Sequence, residues 1–411
     1  MKKIISVSYY ADFSRYFHYL HKNISMYEVQ WTNLCLHHSA YTYDLVKNIN
    51  TLLLPYEVRK KKYKNLSAIS TSNIEDIIGL FNYQKNKKNI FSNIANLYLY
   101  FFEFYLKKHN PDLVIISGDE RIPTKILSYV AHKLNIRVLY FEQGPFGTTI
   151  LDEIGVNANC SFRGNSNQES SDKKKLMQIL EKKEKWLGYK KYRVLDIIHQ
   201  VLFPSKYPEI TKYKLSLAKK NKHPFSVWKT EKNIILLVLQ VPEDVNMVCH
   251  SPYFENHYDI VKYVYSSIPV GYKLVVREHP LYKNKYESEL YDFIAKNNIM
   301  IDSAGSLKEK IQKSSLVIVN NSTVGLEAMT YNKSIIVLGN SYYDNPEFTY
   351  KFNGENLHDL IITAIVNPKD SNSINQRLNY LFNNQFLSGH FRDKDLSDLK
   401  GHVEKICEHL I

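Results

Sequence analysis

The chain has 411 residues, of which 44% are hydrophobic and 23% charged, a composition that excludes a disordered chain and is typical of a folded globular protein. Since a single hydrophobic core rarely grows beyond about 250–300 residues, this length predicts two domains. The net charge of +13 favours an acidic partner, such as an anionic membrane, a nucleic acid, or a phosphorylated or carboxylated sugar.

Several kinds of site and segment are not expected. The four cysteines are far apart and show no Cys-x-x-Cys or Cys/His spacing, so neither a zinc site nor a disulfide framework is predicted. No signal peptide is visible, and no apolar run approaches the ~20 residues of a membrane span. The basic residues are scattered without an RNA- or DNA-binding motif, so nucleic acid is not expected as a partner.

The first half of the chain contains strand and helix patterns. Residues 3–10 predict a strand followed by an aromatic helix, and residues 73–108 predict helix. The clearest βαβ unit lies between Pro111 and Phe146, where LVIIS and RVLYFE read as strands around the helix PTKILSYVAHKLN. Residues 118–121 and 142–144 are polar and directly follow these strands, where open α/β sheets bind their ligands. Residues 150–165 are interpreted as a structured loop.

The middle of the chain changes character. Residues 168–224 are rich in charge, lysine and proline, and are interpreted as peripheral helices and a linker that ends near Pro224. The basic run Lys60 to Asn65 fits a solvated face, or alternatively a patch on a membrane surface.

The second half predicts another doubly wound sheet. The nearly continuous apolar strand NIILLVLQV (Asn233 to Val241) is typical of a strand buried on both faces. Strands and helices then alternate through SLVIVNNSTVGLEAMTYNKSIIVLGN (Ser315 to Asn340), which reads as strand, tight turn, helix and strand. We therefore expect an N-terminal domain over 1–224, a second over 225–365, and closing helices over 366–411.

Three polar clusters of the second domain each follow a predicted strand, so they should line one edge of one sheet. They are residues 240–246 with Asp244, residues 277–280 with Arg277 and His279, and residues 320–323. The last is a small polar turn before a helix, which is a site type that binds phosphate. A carboxylate, a histidine and such a turn in one crevice fit transfer from a nucleotide-activated donor. Each residue alone also fits a structural role, such as a helix cap.

The chain resembles the bacterial capsule polysaccharide biosynthesis family of retaining β-Kdo transferases, which act on capsule lipid anchors and O-antigen chains. The resemblance is carried by Glu278 to Pro280 (EHP), by NSTVGLEAM, by SIIVLGNSYYD, by QVPEDVNMVCHSP, and by FEQGPFGTTILDEIGVNANCSF (Phe141 to Phe162).

This resemblance implies a GT-B-like α/β fold, with two Rossmann-type doubly wound domains and an active site in the cleft between them. It implies that the N-terminal domain is on the acceptor side and that the C-terminal domain holds the donor CMP-β-Kdo, with its phosphate against His279, Ser322 and Thr323. Asp244 would be the nucleophile, and Glu142 or Asp152 the acid/base. The remaining donor-site residues expected from the motifs are Gln240, Arg277, Asn321 and Glu327.

The resemblance also sets the expected partners. The acceptor would be a saccharide or a glycolipid, and the protein would be cytoplasmic, with peripheral contact to the inner membrane as a further expectation. The resemblance implies that the transfer step needs no metal cofactor, which agrees with the absence of an Asp-x-Asp motif beside an apolar strand. Two alternatives stay open: another CMP- or CDP-linked enzyme, such as a sialyl- or glycerophosphotransferase, or a non-catalytic capsule assembly or export protein.

Overall fold

The computed structural model describes residues 1–60, 63, 74, 77, 88–170, 183–206, 233–242, 244–302 and 305–411. The chain divides into two compact units. Unit 1 comprises the described residues of Met1–Val156, Lys174–Tyr213 and Phe382–Ile411, and unit 2 those of Asn157–Lys173 and Lys214–Leu381. The predicted boundary near Pro224 lies outside the described residues, and the predicted domain limits stay a prediction.

Each unit is built on a six-stranded sheet. The strands of unit 1 are β1 (Lys2–Ser8), β2 (Val29–Cys35), β3 (Thr51–Leu53), β4 (Leu113–Ser117), β5 (Arg137–Gln143) and β6 (Thr149–Asp152). Those of unit 2 are β7 (Ile234–Val238), β8 (Lys273–Arg277), β9 (Met300–Asp302), β10 (Leu316–Val319), β11 (Ile335–Val337) and β12 (Tyr350–Lys351).

Both sheets are doubly wound. Their strand orders are β3-β2-β1-β4-β5-β6 and β12-β11-β10-β7-β8-β9. Neighbouring strands run parallel, except that β6 runs antiparallel to β5. In each sheet the chain winds outward on one side and then returns to the other side of its first strand. The point of return lies between β1 and β4 in unit 1 and between β7 and β10 in unit 2. The predicted α/β class, with two doubly wound sheets, is confirmed.

The helices follow the strands in chain order. They are α1 (Ala11–Asn23), α2 (His38–Val46), α3 (Leu54–Glu57), α4 (Lys88–His109), α5 (Ile122–Lys133), α6 (Tyr189–Leu202), α7 (Val245–Cys249), α8 (His257–Ser266), α9 (Ser288–Lys296), α10 (Leu307–Lys313), α11 (Val324–Met329), α12 (Leu357–Val366), α13 (Ser371–Tyr380) and α14 (Lys400–Glu408).

Strong apolar patterns form the cores as predicted. All five residues of β4 and all five of β7 are buried, which fits a parallel strand covered by helices on both faces. The aromatic stripe of α4 also lies in the core of unit 1, through Tyr98, Phe101, Phe102 and Tyr105. The first part of the predicted helix over 73–108 lies largely outside the described residues, as does most of the basic run after Lys60.

The interpretation of residues 150–165 as a loop is wrong in part, because Thr149–Asp152 forms β6. A tight turn after β5 reverses the chain, and its ends are joined by the Gly144 N–H, which donates to the Thr148 carbonyl at 3.0 Å. Gly147 adopts a φ of +79°, a conformation that a residue with a side chain rarely takes. This turn aligns Thr149 with Gln143 and allows a four-residue segment to pair with the sheet edge.

Candidate functional site

The three polar clusters of unit 2 lie at one edge of its sheet. Strands β10, β7 and β8 are adjacent and parallel, so the residues that follow them emerge at the same edge. The cluster after β7 and the cluster after β10 flank the point where the chain returns across the sheet. Open α/β sheets bind ligands at this point, in the crevice outside the carboxyl ends of the strands.

Hydrogen bonds join the three clusters. The Asn321 N–H donates to Gln240 Oε1 at 3.5 Å, which links the loops after β10 and β7. The Tyr286 hydroxyl donates to the Gln240 carbonyl at 3.1 Å and accepts from the His279 N–H at 3.0 Å. Tyr286 therefore ties the loop after β8 to the loop after β7. Sequence reasoning missed this residue, because nothing marks it among the 32 tyrosines of the chain.

The His279 imidazole has a defined tautomer. Its Nδ1 accepts a hydrogen bond from the Leu281 N–H at 3.3 Å, so the proton of the neutral ring is on Nε2. Burial lowers the pKa of His279, and the nearby negative charge of Asp244 opposes this shift in part. The ring is therefore neutral near pH 7 and offers one N–H donor, which is suited to an anionic oxygen.

The Asp244 carboxylate lies half-buried at the residue before α7, and its side chain does not cap that helix. Asn246 Nδ2 is 3.4 Å from Asp244 Oδ2 and 3.3 Å from Asn157 Oδ1. Asn157 belongs to the segment GVNANCSF that carries part of the family resemblance. This segment therefore contacts the first turn of α7, directly beside the predicted nucleophile.

The Asn321 side chain ties α7 to the sheet. Its Nδ2 donates to the Asn246 carbonyl at 2.7 Å and to the His250 carbonyl at 3.0 Å. Its Oδ1 and the Nε2 of Gln240 are buried and have no hydrogen-bond partner within the part of the chain that the structure describes. Both side chains are 5% exposed. Unsatisfied polar atoms at this depth are costly, so a bound ligand that pairs with them would be stabilised.

The turn after β10 presents small polar groups. Ser322 Oγ accepts from the Val324 N–H at 3.3 Å, and the Ser322 carbonyl accepts from the Tyr343 hydroxyl. Thr323 is exposed and precedes α11 without capping it. Glu327 lies half-buried within this six-residue helix. Gly325 packs so closely that an added Cβ would lie 2.5 Å from the Tyr343 hydroxyl oxygen, which explains the glycine.

Arg277, which was expected at the donor site, and Arg163 both bind carboxylates within unit 2. Arg277 donates to Asp302 at 2.5 Å and to the Gly305 carbonyl at 3.0 Å, and it is 8% exposed. Arg163 binds both carboxylate oxygens of Asp344, at 3.2 and 3.0 Å. These contacts favour structural roles for both arginines. The expected role of Arg277 in donor binding stays a prediction, because its contacts with Asp302 and Gly305 are within the fold.

In unit 1 the two acid/base candidates occupy different environments. Asp152 is buried, and its Oδ1 accepts from the N–H groups of Ile154 and Gly155 at 2.8 and 3.0 Å, as a turn-stabilising carboxylate does. Glu142 is half-buried at the carboxyl end of β5. A Cβ built on Gly118, the first residue after β4, would lie 3.9 Å from Glu142 Oε2. Glu142 is therefore at the ligand-binding edge of its sheet.

The described residues contain no group of three side chains that could hold a metal ion. The chain does contain one Asp-x-Asp triplet, Asp393 to Asp395, although it does not follow an apolar strand. Asp393 accepts from Lys185 at 2.5 Å and from the His390 N–H at 2.9 Å, so it has structural partners.

Comparison with known proteins assigns the family. Residues 112–391 match the family model described as capsule polysaccharide biosynthesis protein. Protein FixF of Sinorhizobium fredii is 26% identical over 176 residues, and the chain spans 43% of the length of that relative.

Among solved structures, two enzymes show low similarity to this chain. The β-Kdo 2,7 transferase KpsC of Thermosulfurimonas dismutans is 15% identical, with a TM-score of 0.41 and coverage of 88% of this chain and 90% of that one. The UDP-GlcNAc 2-epimerase of Neisseria meningitidis is 13% identical, with a TM-score of 0.37 and coverage of 99% and 100%. Since the family model matches more than half of its residues, this chain belongs to the capsule polysaccharide biosynthesis protein family.

Proposed function

We propose that this protein is a retaining glycosyltransferase that transfers Kdo from CMP-β-Kdo to a saccharide or glycolipid acceptor in bacterial surface polysaccharide synthesis. Membership of the capsule family supports the class of pathway. The observation that carries the proposal is the edge of the unit 2 sheet after β10, β7 and β8, where a neutral histidine, a carboxylate and buried unsatisfied amide atoms gather. An active site between the two domains stays a prediction.

In this proposal His279 acts on the leaving phosphate. Because its Nδ1 accepts the Leu281 N–H, its Nε2–H can donate to a phosphate oxygen as negative charge develops. The hydroxyls of Ser322 and Thr323 would complete the phosphate contacts. The unsatisfied Gln240 Nε2 and Asn321 Oδ1 would pair with polar groups of the nucleotide or the sugar.

The proposed transfer has two displacements. The Asp244 carboxylate attacks the anomeric carbon of Kdo, the bond from that carbon to the phosphate oxygen breaks, and CMP leaves with the electron pair. An acceptor hydroxyl then attacks the same carbon, Glu142 takes its proton, and the Asp244 carboxylate is released. Two inversions retain the configuration. We choose Glu142 over Asp152 because the Asp152 carboxylate is buried and accepts two backbone N–H groups.

The proposal is tested by a donor screen with intact-mass measurement. Purified protein is incubated with CMP-Kdo, CMP-sialic acid or CDP-glycerol, with and without EDTA. We expect CMP-Kdo to be the one donor of the three from which nucleotide is released, and EDTA to leave the rate of release unchanged. The mass of the protein should increase by one Kdo residue, and this increase should not occur in Asp244→Ala. Turnover with another donor, or nucleotide binding without turnover, would reject the proposed activity in favour of the corresponding alternative.

The role of His279 is tested separately. We expect His279→Ala to lower kcat by about 10²–10³-fold, as removal of a donor to developing charge does. The matched control is His358→Ala, which removes another half-buried histidine of unit 2 whose Nδ1 contacts the Ser267 carbonyl at 3.1 Å. A loss below tenfold in His279→Ala would assign that histidine a structural role.

We further propose that the protein is cytoplasmic and contacts the inner membrane peripherally through α6. No described helix is long and apolar enough to cross a membrane. One face of α6 exposes an apolar stripe, beside the exposed Lys190 and Lys191. Its members are Val194, Ile197, Ile198, Val201 and Leu202, and Phe203 follows the helix. An apolar stripe with basic neighbours suits the surface of an anionic bilayer.

Vesicle sedimentation tests this contact. We expect binding to vesicles with phosphatidylglycerol, weaker binding to pure phosphatidylcholine, and release at high salt. Val201→Glu should reduce binding, whereas Val366→Glu should not, although the two valines are almost equally exposed at 68% and 67%. Equal binding of both variants would exclude α6 as the contact.

A further inference from the structure

A second candidate ligand site lies in unit 1, at the point where its sheet reverses its winding between β1 and β4. Tyr9 and Tyr10 follow β1, His37 follows β2 with one residue between, and Gly118 to Arg121 follow β4. Since these strands are neighbours and parallel, the residues emerge at one edge of the sheet. This is the place where doubly wound sheets bind ligands, and the proposed base Glu142 lies at the same edge, near the end of the neighbouring strand β5.

Aromatic rings and arginines are packed together at this point. The His37 ring stacks on the Tyr10 ring, with a centroid distance of 5.0 Å and an interplanar angle of 14°. The Arg193 guanidinium of α6 lies 3.7 Å from the centroid of the Tyr10 ring. The Arg121 guanidinium lies 5.9 Å from the centroid of the Tyr9 ring. Tyr9, Tyr10 and both arginines are partly exposed, so they present a surface of rings and cations rather than a closed core.

The charge around this cluster is positive. Burial lowers the pKa of His37 to about 3, and the positive charges of Arg193 and Arg121 lower it further, so the ring is neutral. Glu120 is paired with Lys125 at 2.7 Å, and the Asp119 carboxylate accepts the Val156 N–H at 2.9 Å. Asp196 lies 3.5 Å from Arg193 but also accepts the Ser39 N–H at 2.8 Å. Arg193 therefore has one carboxylate neighbour, Asp196, whose other oxygen accepts a backbone N–H.

We infer that this cluster of Tyr9, Tyr10, His37, Arg121 and Arg193 binds the anionic end of a saccharide acceptor. Guanidinium groups match the geometry of a carboxylate or phosphate, and the Tyr10 ring positions the Arg193 guanidinium through a cation–π contact. The carboxylate of a sugar acid and the phosphate of a sugar phosphate share this chemistry. The inference rests on the proposed function only in calling the ligand an acceptor.

The test measures binding in the absence of donor. Methyl glucuronide, glucose 1-phosphate and methyl glucoside are titrated into the full-length protein and followed by ligand-observed NMR. We expect one or both anionic sugars to bind and the neutral glucoside to bind at least about tenfold more weakly. The stronger of the two anionic sugars identifies carboxylate or phosphate as the preferred group. Equal binding of the neutral sugar, or no binding of any, would overturn the inference.

Variants then locate the site. Arg193→Gln and Arg121→Gln should each raise the Kd of the anionic sugar about tenfold or more, since each removes a charged donor. Tyr10→Ala should weaken binding, and Tyr10→Phe should not, because the ring is retained. The matched control is Arg137→Gln at the opposite edge of the sheet, where Arg137 donates to the His409 carbonyl at 2.9 Å. Unchanged binding in both arginine variants of the cluster would refute the assignment.

These outcomes separate the two proposals. If CMP-Kdo is not a substrate while the anionic sugar binds and depends on Arg193 and Arg121, the proposed transferase activity fails and the site stands. If transfer occurs and neither variant changes the acceptor KM or the Kd of the anionic sugar, the activity stands and the site fails.

Discussion

Replacement of Asn321 by alanine tests whether the loop after β10 holds α7 in place. The Asn321 Nδ2 group donates to the Asn246 carbonyl at 2.7 Å and to the His250 carbonyl at 3.0 Å. These carbonyls belong to the first turn of α7 and to the residue that ends it. The substitution therefore releases both ends of the helix that begins directly after Asp244.

The expected magnitude follows from the two bonds. A net contribution of about 1 kcal/mol for each bond gives a loss of at most about 2 kcal/mol in the free energy of unfolding of unit 2. In the variant the His250 carbonyl still accepts a hydrogen bond from the Asn340 N–H at 2.7 Å. Most of the lost stability should therefore come from the hydrogen bond to the Asn246 carbonyl. In urea this corresponds to a midpoint lower by roughly 1 M.

The assay is urea unfolding followed by circular dichroism, with Asn297→Ala as the control. Asn297 is a half-buried asparagine of unit 2, and its Nδ2 donates to one carbonyl, that of Phe293, at 2.9 Å. We expect Asn321→Ala to be less stable than this control by at least ~1 kcal/mol. Equal stability of the two variants would refute the reasoning that Asn321 holds α7.

Three further predictions concern packing, pH and charge. Gly339→Ala should destabilise unit 2 by about 1–3 kcal/mol, because its Cβ would lie 2.7 Å from the His250 carbonyl oxygen, whereas Gly401→Ala, with its nearest atom at 3.8 Å, should cost nothing in thermal unfolding. Burial lowers the pKa of His257 from 6.5 to about 4. Between these two pH values His257 is protonated in the unfolded chain and neutral in the folded chain. Stability should therefore fall as the pH falls from 6.5 towards 4, and His257→Phe should remove ~2 kcal/mol of the acid sensitivity between about pH 7.5 and pH 5; an unchanged pH profile would contradict this. Asp344→Asn leaves Arg163 and Lys351 without their shared carboxylate and should cost about 2–3 kcal/mol, whereas Arg163→Lys, which keeps the charge but loses the two-pronged contact, should cost about 1 kcal/mol in the same urea assay.

Several elements could be read from local pattern alone. The runs LVIIS and LVIV coincide with β4 and β10, and IILLV forms β7, because continuous apolar runs of this length can only be buried parallel strands or core helix segments. The strands β2, β3 and β12 were not predicted. β2 (VQWTNLC) alternates poorly, and its polar residue Asn33 is satisfied only in the fold, by Ser6, Ser8, Ser14 and Asp44.

The order of strands and loops along the chain predicted that the candidate site residues lie together. It did not predict the tautomer or the hydrogen-bond partners of each residue. Placing Gln240, His279 and Asn321 after successive strands of an alternating pattern brings them to one sheet edge, since parallel strands share their carboxyl ends. The tautomer of His279 depends on the Leu281 N–H, and the linking role of Tyr286 depends on two loops that are 46 residues apart. Neither contact leaves a trace in local sequence.

The sequence by itself determined the two-sheet α/β architecture and the sheet edge at which polar residues gather, because hydrophobic periodicity and strand–helix alternation are local properties of the chain. Its motifs, and not its periodicity, identified the family. Only the tertiary structure decided which of these residues are bound to other parts of the fold and which lie at the edge of a sheet. It turned Arg277 towards Asp302, enclosed Asp152 in a turn, left Glu142 at the edge of its sheet, and brought Tyr10, Arg193 and His37 together. Those outcomes depend on side-chain contacts between segments far apart in the chain, and burial and hydrogen bonding fix them only once the core has formed.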